Sequence, residues 1–345
     1  MHYLFELQHP KHYHQFKNII SMLKSRDDEI LIVARDKDVL LSLLQYDNQK
    51  YRVMGKYGKG IFKKFLLIPG LIFEYLKIII HFKPDIILSK ASPYAAVIGK
   101  FMKIFTVITP DSEIVSLTNK FTAPLSNLII TQNTFKKNLG KKHRKISSFF
   151  EVTYLHPNYF TADFSEIQNF VNTNSRFFVL RFIGWSANHD INQFGFSDAE
   201  KIKLVNHLSK FGKVIITSEK SLPEELRDYV MKIHPAKIHH LLALANLYVG
   251  DSQSMATESC LLGTPSIRYN SFVGNNDMSN FRILGKKYKL LYNCSNFAEV
   301  MNKVNKIIED KYSKKKWKQK AKQYFSDIED PNIELLEILD EERNV

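Results

Sequence analysis

Cysteine is nearly missing from this 345-residue chain: Cys260 and Cys294 are the only two. That excludes a disulfide framework and any cysteine-rich zinc site, and it fits a reducing compartment. Acidic residues are outnumbered, 35 Asp and Glu against 49 Lys and Arg, which leaves a net charge of +14. Such a balance suits phosphate-rich or anionic-surface partners and does not by itself mean nucleic acid. A long apolar run is lacking too. The most apolar stretch, 65–82, is broken by Pro69, Glu74 and Lys77, whereas a spanning helix needs roughly 20 apolar residues. The opening Met1-His2-Tyr3-Leu4-Phe5-Glu6 has no basic n-region, and Glu6 interrupts its apolar run, so no signal peptide is expected. A soluble or peripheral protein of the cytoplasm is the expectation.

What is present is globular. Hydrophobic residues make up 44% and charged residues 24%, which excludes wholesale disorder, and the length favours two domains. Short apolar runs alternate with segments of helical period. Strands are expected at 3–7, 29–34, 51–54, 86–89, 105–108 and 128–131, with helices at 14–24, 38–46, 63–82 and 94–101. The pattern restarts with strands at 176–181, 213–217, 247–249 and 266–268, and helices at 197–210, 223–230, 238–245 and 255–262. Further helices are expected at 296–310, 314–324 and 333–342. This alternation implies mostly parallel sheets with right-handed crossovers. The expected fold class is α/β, with two doubly wound Rossmann-like domains facing a central cleft. They would cover 1–160 and 161–312, and a helical tail, 313–345, would pack back on the first. Open sheets of this kind bind ligands beyond the carboxyl ends of their strands, so the loops there are the places to look for chemistry.

The run Leu247-Tyr248-Val249-Gly250-Asp251-Ser252-Gln253-Ser254-Met255-Ala256-Thr257-Glu258 reads as a buried strand, a small polar loop and a helix start. Free N–H groups and the helix dipole make such a start an anion site. Glu258, about one turn in, is placed to accept from a ribose hydroxyl. The plainer alternative is that Ser252 and Ser254 are N-caps and Glu258 complements the dipole.

At the end of the first strand, Leu7-Gln8-His9-Pro10-Lys11-His12-Tyr13-His14 packs three histidines into a short loop. No Asp or Cys partner follows at ligand spacing, so no metal is expected, and His12 and His14 are expected to face the interdomain cleft. In Thr109-Pro110-Asp111-Ser112-Glu113 two carboxylates sit two apart, on one side of an extended loop. One of them can deprotonate an acceptor hydroxyl; the alternative is a helix N-terminus, where acids favour the dipole. Asp36-Lys37-Asp38 reads as the start of a helix rather than as a metal-binding pair.

The 247–258 run resembles the nucleotide-diphosphate site of GT-B glycosyltransferases and of nonhydrolysing UDP-GlcNAc 2-epimerases, where a similar Asp-Ser-Gly-Gly-x-x-x-Glu run holds the diphosphate and ribose of a UDP-sugar. Here Gln253 and Ser254 replace the two glycines, and Leu262-Gly263-Thr264-Pro265 matches the turn into the next strand. The chain as a whole, over about 1–300, resembles a poorly characterised prokaryotic family of GT-B-like proteins. Its Asn-Pro-Pro-His-x-His-Phe-Phe-like loop is matched by His12 and His14. Further counterparts are Ala34-Arg35-Asp36, Tyr57-Gly58-Lys59, Gly184-Trp185-Ser186-Ala187-Asn188-His189-Asp190 and Gly250 through Glu258.

The resemblance implies a GT-B-type fold. It implies that Arg181, Ser186 and His189 lie near the phosphates, together with Asp251, Ser252, Gln253, Ser254, Met255 and Glu258. It also implies that the region of Asp111 and Glu113 supplies acid–base carboxylates. The alternative for the Arg181 strand is an arginine paired with an acid and a Trp185 in the core. No cofactor beyond the sugar nucleotide itself is implied.

Three basic stretches remain: 56–65, 136–145 and 314–318. The first sets Lys56, Lys59, Lys63 and Lys64 among Tyr57, Ile61, Phe62 and Phe65, the composition of a membrane-surface patch. Nucleic acid ranks below it, since no nucleic-acid-binding motif accompanies the charge. The third stretch is expected to be a solvated helix face. Taken together, the expectation is a metal-independent glycosyltransferase. It would pass sugar from a nucleotide diphosphate, UDP first, to a glycan or lipid-linked acceptor in polysaccharide or glycolipid synthesis. UDP-sugar 2-epimerisation is the second reading, and a basic, non-catalytic scaffold the third.

Overall fold

The structure, a computed structural model, describes residues 1–56, 61–111, 116–173, 175–185, 193–274 and 277–343, without the side chains of 56, 61–68, 116–118 and 343. The chain divides into two compact units, 1–154 with 329–345, and 155–328.

The first unit runs β1 (His2–Leu7), α1 (Pro10–Lys24), β2 (Glu29–Asp36), α2 (Leu40–Tyr46), β3 (Tyr51–Lys56), α3 (Ile61–Phe82), β4 (Ile86–Ser89), α4 (Pro93–Met102), β5 (Phe105–Ile108), α5 (Ser116–Leu125), β6 (Leu128–Gln132) and β7 (His143–Ile146), then the short α6 (Val152–Leu155) at the boundary. Its seven strands are ordered β3-β2-β1-β4-β5-β6-β7 and all pair in parallel. The order reverses between β1 and β4, which makes the gap beyond their carboxyl ends the topological switch point.

Local chemistry starts the helices that flank this point. His9 caps α1, its ring accepting from Lys11 N–H, and Pro10 takes the first helical position, where a missing N–H costs nothing. Ser92 and Pro93 do the same for α4. Tyr13, Phe16, Ile19, Ile20 and Leu23 recur at helical spacing along α1 and are buried.

The second unit runs β8 (Phe177–Phe182), α7 (Asp198–Leu208), β9 (Lys213–Ser218), α8 (Ile238–Leu244), β10 (Leu247–Gly250), α9 (Gln253–Leu261), β11 (Ser266–Tyr269), α10 (Ser279–Lys286), β12 (Leu291–Cys294), α11 (Phe297–Glu309) and α12 (Ser313–Ser326). The sheet order is β12-β11-β10-β8-β9, again all parallel. Its switch point lies between β8 and β10.

The expected tail is divided between the units. In α12, Trp317 is buried and donates to Leu290 O at 2.6 Å. Lys314 reaches inward to Ala243 O and Ala245 O, both at 2.7 Å, so the 314–318 stretch is not simply a solvated face. α13 (Pro331–Arg343) belongs to the first unit, where Leu335, Leu336 and Leu339 are buried and Asp340 pairs with Arg26 at 2.9 Å. The segment expected as a helix at 223–230 is a 3-10 turn, and the sequence pattern missed α5, β7, α6, α10 and β12.

Candidate functional site

At the switch point of the second unit, β8 and β10 lie side by side with Arg181 opposite Gly250. The approach there is so close that a Cβ on Gly250 would stand 2.8 Å from Arg181 O and 2.5 Å from the Tyr248 hydroxyl, so only glycine fits. Directly beyond, α9 begins. Ser252 has extended dihedrals and its hydroxyl accepts from Met255 N–H at 3.4 Å, so it is the N-cap. Ser252, Gln253, Ser254 and Met255 stay partly exposed at this end, and the first-turn N–H groups of α9 have no intrahelical acceptor.

The sequence-derived residues sort into distinct roles. Asp251 is turned inward, only 1% exposed. Its two carboxylate oxygens accept from Ile183 N–H at 2.8 Å and from the Trp185 indole at 3.3 Å, and its backbone carbonyl accepts from Asn270 at 3.0 Å. Asp251 is thus a strut that fixes the β8 loop to the β10 loop, and burial raises its carboxyl pKa to about 6 despite those hydrogen bonds. Arg181 takes the alternative expected for it: it is paired with Glu219, whose other oxygen accepts from Gly184 N–H at 3.0 Å. Trp185 holds a left-handed φ of 46° and stacks near Phe272, with ring centroids 6.2 Å apart. Glu258 is 7% exposed and faces His239, whose Nε2 lies 3.5 Å from Oε1. Ser186 and His189 lie outside the described residues, as does Glu113 in the first unit.

The first unit gathers a second constellation at its own switch point. Gln8 follows β1, Lys90 follows β4 and Asp111 follows β5, while Lys11, His12 and Gln15 share one face of α1. Lys11 Nζ lies 2.9 Å from Glu151 Oε1 and 3.1 Å from Asp111 Oδ2. Lys90 Nζ lies 3.2 Å from the same Asp111 oxygen and donates to Gln15 Oε1 at 2.6 Å; Gln15 in turn donates to Thr109 Oγ1 at 3.0 Å. Burial opposes the charge on Asp111, but the ammonium groups of Lys90 and Lys11 outweigh it and hold the carboxyl well below its ordinary range. So held by the two ammonium groups, Asp111 is a weak base in this cluster.

His12 accepts from Gln8 N–H through Nδ1 at 3.2 Å, which leaves the ring proton on Nε2. Burial, with Lys90 next, pushes its pKa well down, so His12 is a neutral hydrogen-bond donor at neutral pH. His14 is on another side of α1, its ring 5.2 Å from that of Tyr154. A cavity of about 110 Å³ opens on this cluster, lined by Glu6, Gln8, His12, Lys90, Ala91 and Ser92. Ala91 lines it with φ 149°, a value that side chains rarely adopt and that marks stored strain. Lys11, Lys90, Gln15 and Glu151 are the members that the sequence reading left out. Lys90 was open to discovery, since it directly follows an expected strand. Glu151 carries no local signal at all.

The chain belongs to the family described as "Protein of unknown function (DUF354)", whose profile matches residues 3–336. A curated relative, uncharacterized protein MJ0665 of Methanocaldococcus jannaschii, is 25% identical over 125 residues, 36% of this chain and 37% of that one. The match therefore spans about a third of the relative's length. Among solved structures, UDP-GlcNAc 2-epimerase from Neisseria meningitidis bound to UDP-GlcNAc superposes with a TM-score of 0.67 at 14% identity, covering 98% of this chain and 99% of that one. The corresponding epimerase from Methanocaldococcus jannaschii gives 0.64 at 13%, covering 90% and 94%. The spinosyn rhamnosyltransferase SpnG complexed with thymidine diphosphate gives 0.60 at 13%, covering 98% and 100%. At these identities the likeness establishes the fold, which is GT-B-type: two Rossmann-like units with parallel sheets of seven and five strands.

Proposed function

We propose that this DUF354 member is a glycosyltransferase whose second unit holds a nucleotide-diphosphate sugar, UDP-linked first, and whose first unit receives the acceptor hydroxyl. The observation that carries the reading is the switch point of the second unit, where the partly exposed N-terminal turn of α9 follows directly on β10. The first-turn N–H groups that Ser252 does not take, with the helix dipole, suit a diphosphate, and Glu258, further along α9, would accept from a ribose hydroxyl. Two structural neighbours carry UDP-GlcNAc or thymidine diphosphate in their own structures, which supports the ligand class. In this reading, the N–H groups of α9, aided by Arg181 if it leaves Glu219, meet the charge of the departing diphosphate rather than a metal ion.

The acceptor is a glycan or lipid-linked glycan at an anionic membrane surface on the cytoplasmic side. No described helix is long and apolar enough to cross a membrane, so such contact would be peripheral. The sequence-derived patch at 56–65 lies outside the residues whose side chains are described. Support comes instead from exposed apolar residues on neighbouring helices of the first unit: Phe73 and Ile80 on α3 and Phe101 on α4, with Lys77, Lys100 and Lys103 beside them.

A thermal-shift panel of nucleotides and sugar nucleotides tests the site, because a ligand that binds only the native state raises its apparent stability. Ser254→Ala and Glu258→Gln are expected to weaken the responding ligand, by roughly 1.5–3 kcal/mol where a charged hydrogen bond is lost. Unchanged affinity in both variants rejects the assignment. The epimerase neighbours favour a second reading, 2-epimerisation of the same ligand. A transferase consumes donor only when acceptor is present, whereas an epimerase interconverts two sugar nucleotides without one.

A further inference from the structure

The charges around the first-unit cavity do not balance evenly. Lys11 has two carboxylates within 3.1 Å, Glu151 and Asp111. Among the described residues, Lys90 has one carboxylate in ion-pair contact, Asp111 at 3.2 Å, and shares that oxygen with Lys11, while Glu151 acts on it from further away. Its other described contacts are the neutral Gln15 amide and the face of Phe150, 4.4 Å from Nζ to the ring centroid. Of the two ammonium groups, Lys90 is therefore the one less compensated by the described carboxylates, and it is the one on the cavity wall. The remaining wall is suited to an uncharged polar group: the His12 Nε2–H, the Gln8 amide, the Ser92 hydroxyl and the Glu6 carboxyl. Space of about 110 Å³ admits a hydroxyl-bearing end of a ligand, a few times the ~30 Å³ that one water occupies in the liquid.

We propose that Lys90 is the catalytic base that takes the proton from the acceptor hydroxyl. This deepens the transferase reading and rests on it. The lone pair of the neutral Lys90 amine takes the hydroxyl proton and becomes an ammonium. The acceptor oxygen forms its bond to the anomeric carbon of the donor sugar, and the bond from that carbon to the nucleotide diphosphate breaks, the diphosphate leaving with the electron pair. Lys90 then returns the proton to solvent.

The groups facing Lys90 agree with this role. Burial lowers its pKa to about 8, with Lys11 adding to the effect and Asp111 and Glu151 opposing it. The neutral His12 stands beside it, and Glu6, which burial holds toward its protonated form, lines the same cavity. The strained Ala91 backbone sits next to the lysine it helps to place.

Two measurements on the full chain decide the proposal. Carbon-13 labelling of lysine side chains is expected to show, beside the buried Lys314 that is also pushed down, a resonance titrating near 8 that is absent in Lys90→Arg and moves to lower pH in Asp111→Asn, since Asp111 supports the ammonium form. Donor turnover, followed with the sugar nucleotide that stabilises the wild type most and with an alkyl glycoside supplying the acceptor hydroxyl, is expected to fall about 10²–10⁴-fold in Lys90→Arg while donor affinity is retained. Its rising pH limb is expected to shift down in Asp111→Asn, which a merely structural role of Lys90 would not produce. If the resonance that Lys90→Arg removes does not titrate below about 9.5 against the usual 10.4, or if Lys90→Arg turns over normally with an unmoved pH profile, Lys90 is not the base. If no sugar nucleotide binds the wild type, the transferase reading fails, and the lysine titration alone then decides whether Lys90 is poised to exchange a proton.

Discussion

Gly195 presses against Asp251: a Cβ at position 195 would stand 2.3 Å from Asp251 Oδ2 and 2.7 Å from its Cβ. The absence of a side chain at 195 lets the Asp251 carboxylate reach Ile183 N–H and the Trp185 indole, and so hold the switch point of the second unit together. Gly195→Ala is expected to push Asp251 off these partners and to destabilise the protein by about 1–3 kcal/mol, the range for overpacking a tight site. Urea denaturation measures it, and an unchanged midpoint would show that the contact is easily relaxed.

Asp251 also sets a pH signature. Its carboxyl titrates near 3.8 when unfolded and is raised to about 6 in the fold, with burial as the main cause. Between these values the native state keeps a proton that the unfolded chain has lost. Asp251 therefore lowers stability as pH climbs from 3.8 to about 6, by about 3 kcal/mol in all, and its contribution is flat above that. Subtracting the Asp251→Asn stability curve from that of the wild type is expected to isolate this falling limb. Asp111 works in the opposite sense: its folded-state pKa is depressed, so its contribution is present above the unfolded value and disappears as the pH falls. A difference curve for Asp251 that rises over the window would contradict the burial argument.

Lys11 is the keystone of the first-unit cluster. Lys11→Met would leave Glu151, a residue only 4% exposed, without its ammonium partner at 2.9 Å. A loss of about 3–5 kcal/mol is expected, typical of breaking one side of a buried pair. The double variant Lys11→Met with Glu151→Gln is expected to recover part of it, because the uncompensated charge is gone. Equal losses in the single and double variants would mean that the charge is not the cause.

The parallel alternation of strands and helices was legible because each buried strand is a short apolar run and each flanking helix carries a stripe such as Tyr13, Phe16, Ile20 and Leu23. The loops at both switch points were legible from the same alternation, and so was Ser252 as a cap. What was not legible is which way a loop side chain turns. Asp251 and Ser252 are neighbours in one polar run, yet one carboxylate is buried as a strut while the hydroxyl beside it caps a helix. His12 and His14 are two apart, and α1 rotates them to different sides. Strand β7, with an exposed Arg144 and Lys145 at the sheet edge, has no apolar run to announce it. The pairing of Lys11 with Glu151 spans most of the first unit's chain, and no local pattern encodes such a contact.

The membrane reading is open to a direct measurement. Phe101 is 83% exposed, and Phe73 and Ile80 are each 60% exposed. Burying such side chains at an interface is favourable by about 25 cal/mol per Å² of apolar area. Each nearby lysine adds about 1 kcal/mol at an anionic surface, and Lys77, Lys100 and Lys103 are all exposed here. The protein is expected to float with phosphatidylserine-containing vesicles at low salt and to be partly released as salt rises, because the attraction between charges decays over about 8 Å at physiological ionic strength. Phe73→Ser with Phe101→Ser is expected to weaken flotation at every salt concentration, and Lys100→Glu with Lys103→Glu mainly at low salt. These positions are on the helix surface, so folding is expected to survive in both variants, and circular dichroism checks it. Flotation that is absent from the wild type, or unchanged in both folded variants, removes these residues as the contact.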